Sequence, residues 1–80
     1  MSLPPVTDRR WRDVIVGNVT YDFDFLALQF FFGRIRMQLA RDSSEANIMK
    51  YIGELHVLLT KNAHLTNAKR DIAKIFGVSP

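Results

Sequence analysis

Few side chains in this sequence are equipped for acid–base, nucleophilic or metal chemistry: His56, His64, Glu54 and the acid pair Asp22 and Asp24. On a helix, His56 falls within an apolar arc with Met49, Ile52 and Leu59, where it reads as a neutral core histidine bonded to a neighbour. His64 follows eight residues later, about 80° around a continuous helix and beyond a turn, whereas a helical metal pair needs i, i+4 spacing. Glu54 and His56 point about 160° apart, so they form no acid–base pair. Asp22 and Asp24 would share one side of a strand, about 7 Å apart at Cβ, and paired carboxylates can do acid–base work. Arg10 and Arg12 are their expected neighbours, which makes solvated ion pairing the simpler reading. There is no cysteine for a nucleophile, a disulfide or a thiolate metal site. No Ser-centred elbow occurs, and the four glycines are too isolated to form a phosphate loop. The sequence reads as a non-enzyme, and nothing in it calls for a cofactor.

The elements carrying these residues belong to a chain of 80 residues, read as one small domain. A chain of this length buries only about 60–65% of its unfolded surface and needs help to be stable. With disulfides excluded, association is the expected helper. The hydrophobic content of 48% is that of a folded domain rather than a disordered one. Neither a secretory signal nor a run of about 20 apolar residues is visible, so a cytoplasmic protein without a membrane span is expected. The net charge of +3 gathers toward the C-terminus, where Lys61, Lys69, Arg70 and Lys74 face only Asp71.

The fold class expected is α+β and mostly helical, with an N-terminal β-hairpin followed by three helices. Residues 1–10 are expected as an extended arm, kept extended by Pro4 and Pro5. Residues 11–24 form the hairpin, with Val14-Ile15-Val16 and Val19-Thr20 as β-rich runs around Gly17-Asn18. A bulged turn sets Trp11 opposite Phe23, Arg12 opposite Asp22, Arg10 opposite Asp24 and Ile15 opposite Val19. The hairpin's apolar face then carries Trp11, Ile15, Val19, Tyr21 and Phe23. The alternative for this stretch is a short helix from Asp8 to Val16 closed by Gly17.

The helices are expected over residues 24–41, 45–61 and 67–76. The first is the central one and is apolar on two sides. Phe25, Leu28, Phe31, Phe32, Ile35 and Leu39 fall in one arc of about 120°. Leu26, Phe30 and Met37 fall opposite, with Gly33 among them. Asp22 or Asp24 is its expected cap. Asp42-Ser43-Ser44 breaks the chain and caps the second helix, whose core face is Ile48, Met49, Ile52, Leu55 and Leu59. Thr66 caps the third, with Ala68, Ile72, Ile75 and Phe76 inward and Gly77 at its end.

The run from Asp71 to Pro80 resembles the first half of a helix-turn-helix. The resemblance covers about a dozen residues. It implies that Ala73 packs under a recognition helix, Gly77 makes the turn, Val78 plugs the core and Ser79-Pro80 opens the second helix. Pro80 is the last residue, so a groove-reading helix lies outside this sequence. What the resemblance leaves is phosphate contact through Lys69, Arg70 and Lys74. The sequence therefore supports two expectations. The first is a protein–protein interaction or assembly module, a homodimer acting through Leu26, Phe30, Gly33 and Met37, with the hairpin sharing that stripe. The alternative is a DNA-binding protein using Lys69, Arg70 and Lys74.

Overall fold

The computed structural model describes residues 3–17 and 22–77. These residues form four α-helices and no strand: α1 (Arg9–Val16), α2 (Leu26–Arg41), α3 (Glu45–Lys61) and α4 (Thr66–Phe76). The expected β-hairpin is overturned, because Trp11–Val16 is helical. Asp22, Phe23 and Asp24, the end of the expected return strand, lie in neither helix nor strand, and Asn18, Val19, Thr20 and Tyr21 lie outside the described residues.

Local capping and burial explain why the helix wins. The Asp8 carboxylate accepts a hydrogen bond from the Arg10 backbone N–H at 2.9 Å, capping α1 at its start. Gly17 N–H donates to the Asp13 carbonyl at 2.9 Å and closes it. Helical spacing then puts Trp11, Val14 and Ile15 on one buried face. Trp11 is fully buried, its Nε1–H donates to the Pro4 carbonyl at 3.0 Å, and its ring meets Phe76 edge-on at 4.6 Å. Burial of that ring, worth several kcal/mol on the scale of about 25 cal/mol per Å², outweighs the β preference of Val14-Ile15-Val16. The cross-strand pairs fall with the hairpin. Arg12 binds Glu45 instead of Asp22, and Arg10 binds Asp8 and the Phe76 carbonyl instead of Asp24.

α1 and α2 both pack on α3, so α3 rather than α2 occupies the middle. Ser44 Oγ caps α3 by accepting from Asn47 N–H at 3.3 Å. The α3 core face is Ile48, Tyr51, Ile52, Leu55 and Leu59, all buried, whereas Met49, expected in the core, is exposed. α4 buries Ala68, Asp71, Ile72, Ile75 and Phe76. Thr66 is its first residue rather than its cap, which is Leu65 without a side-chain hydrogen bond. Gly77 ends α4 in the left-handed region at φ 64°, which its lack of a Cβ permits. Val78, Ser79 and Pro80, assigned to the turn of the helix-turn-helix resemblance, lie outside the described residues. Among the described residues no helix is long and apolar enough to cross a membrane.

Candidate protein interface

α2 is 16 residues long, or about 24 Å at 1.5 Å per residue. Its inward face buries Leu28, Phe31 and Ile35, and Phe25, Phe32 and Leu39 pack partly against the same core. Its outward face carries Leu26, Phe30 and Met37 at 63%, 75% and 66% exposure. Gly33 lies between them, and a Cβ placed on it meets nothing within 4 Å. The structure thus brings the four expected interface residues together on one side of α2. The hairpin expected to share this stripe is absent from the described residues.

The neighbours of the stripe are held in place. Gln29 Nε2 donates to the Phe23 carbonyl at 2.6 Å. Arg34 pairs with Glu54 of α3 at 3.2 Å and lies over the Phe31 ring. A shallow groove of about 340 Å³ runs beside Phe30, lined by Ala27, Phe31, Arg34 and Leu58. The exposed apolar surface therefore continues from α2 toward α3.

Neither Asp22 nor Asp24 caps α2 with its side chain. The N-cap is Phe25, and the cap comes from α4. The carboxylate of Asp71, fully buried, accepts from Asp24 N–H at 3.1 Å and from Phe25 N–H at 2.8 Å. Both bonds are charge-assisted and lie at the positive end of the α2 dipole. Asp71 thereby fixes where α2 begins and which way its faces point. One signal in the sequence marks it: an acid at helical spacing among Ala68, Ile72 and Ile75.

The basic residues of α4 serve the same joint. The Asp24 carboxylate binds Arg70 at 3.1 Å and Lys74 at 3.6 Å, and the Arg70 guanidinium, then Lys74, holds its pKa below the usual carboxylate range. Lys74 also donates to the Asp22 carbonyl at 3.1 Å. Arg70 and Lys74 are therefore engaged within the chain. Lys69 is exposed one position away, so the three do not form a single free basic patch.

The candidate chemical groups stay apart. His56 is half-buried and meets Trp11 edge-on at 5.5 Å, His64 is exposed, and Glu54 is taken by Arg34. Among the described residues no three His, Asp or Glu side chains gather where one metal ion could be held. Known protein families, characterised proteins and solved structures alike give no match to this chain.

Proposed function

We propose that this protein is a non-enzymatic interaction or assembly module that works as a homodimer through the outward face of α2. The observation that carries this reading is the stripe of Leu26, Phe30 and Met37, three large apolar side chains each more than half exposed in one row. Scattered surface apolar residues are ordinary, but a contiguous row on a rigid helix is characteristic of a binding surface. The row is also firmly supported from behind. Leu28 and Ile35 anchor its opposite side in the core, and Asp71 fixes its start. A preorganised helix face loses little conformational freedom on binding.

Light scattering on the wild-type chain and on Phe30→Asp tests the reading. The wild type is expected to rise from 9.2 kDa toward twice that mass with concentration, and Phe30→Asp to stay at 9.2 kDa. A wild type that remains at the single-chain mass up to about 1 mM, where only contacts weaker than about 4 kcal/mol escape detection, would remove the homodimer.

A further inference from the structure

We draw no further inference here: the strongest candidate, the groove of about 540 Å³ where the end of α1 meets the second half of α2 and the start of α3, lined by Ile15, Leu39, Ile48 and Arg36, carries nothing because nothing in the structure shows what covers it.

Discussion

At the scale of single residues, Asp71 decides the geometry of the surface. Its buried carboxylate receives two backbone N–H groups that would otherwise be stranded at the start of α2. Replacing it with alanine leaves both donors unpaired, so Asp71→Ala is expected to lower stability by about 2–3 kcal/mol. Asp71→Asn keeps one acceptor oxygen and is expected to cost less. Urea unfolding followed by the fluorescence of Trp11, the single tryptophan, measures both. The exposed ion pairs give a pH dependence. Asp8, Asp24 and Glu45 have carboxyl pKa values lowered by hydrogen bonds from Arg10, from Arg70 with Lys74 charge, and from Arg12. The unfolded chain then takes up protons first as the pH falls. The stability these groups contribute is present above the ordinary carboxylate pKa and lost as pH drops through the lowered folded values. The urea midpoint is expected to be level between about pH 5 and 7 and to fall below about pH 4. High salt should shrink that fall, because exposed pairs are screened.

Among the elements, α2 carries the account and α1 carries its correction. Gly33 has open space where a Cβ would stand, so Gly33→Ala is expected to stabilise the isolated chain by about 0.5–1 kcal/mol through helix propensity. Thermal unfolding at low concentration, where association does not contribute, is the measurement. A destabilised Gly33→Ala would mean that the glycine serves the fold of its own chain. The two faces of α2 were legible because 3.6-residue spacing separates Leu28, Phe31 and Ile35 from Leu26, Phe30 and Met37 without ambiguity. α1 was not legible in the same way. It has only 8 residues, and the local preference of Val14-Ile15-Val16 points to a strand. What overrides it is tertiary: Trp11 is covered by Phe76 and His56 from distant parts of the chain. The cap of α2 was hidden for a related reason, since Asp71 acts across 46 residues of sequence. Periodicity shows which residues share a face, but long-range side-chain hydrogen bonds leave almost no trace in it.

For the whole molecule, the question is what a chain of 80 residues does with its remaining apolar surface. Its Cα radius of gyration is 11.9 Å, close to the roughly 12 Å of a well-packed chain of this length. Leu26, Phe30 and Met37 therefore stay outside although Trp11, Leu28, Leu55 and Leu59 are fully buried. The basic residues of α4 do not offer an equal rival surface, because Arg70 and Lys74 already hold Asp24. The central claim is that molecules meet through the outward face of α2, and a dilution series followed by backbone and methyl NMR tests it residue by residue. Resonances of Leu26, Phe30, Gly33 and Met37 are predicted to move together with concentration while Asn67 and Lys69 of α4 stay still. Concentration-dependent shifts gathered on α4, or none anywhere along α2, would contradict it.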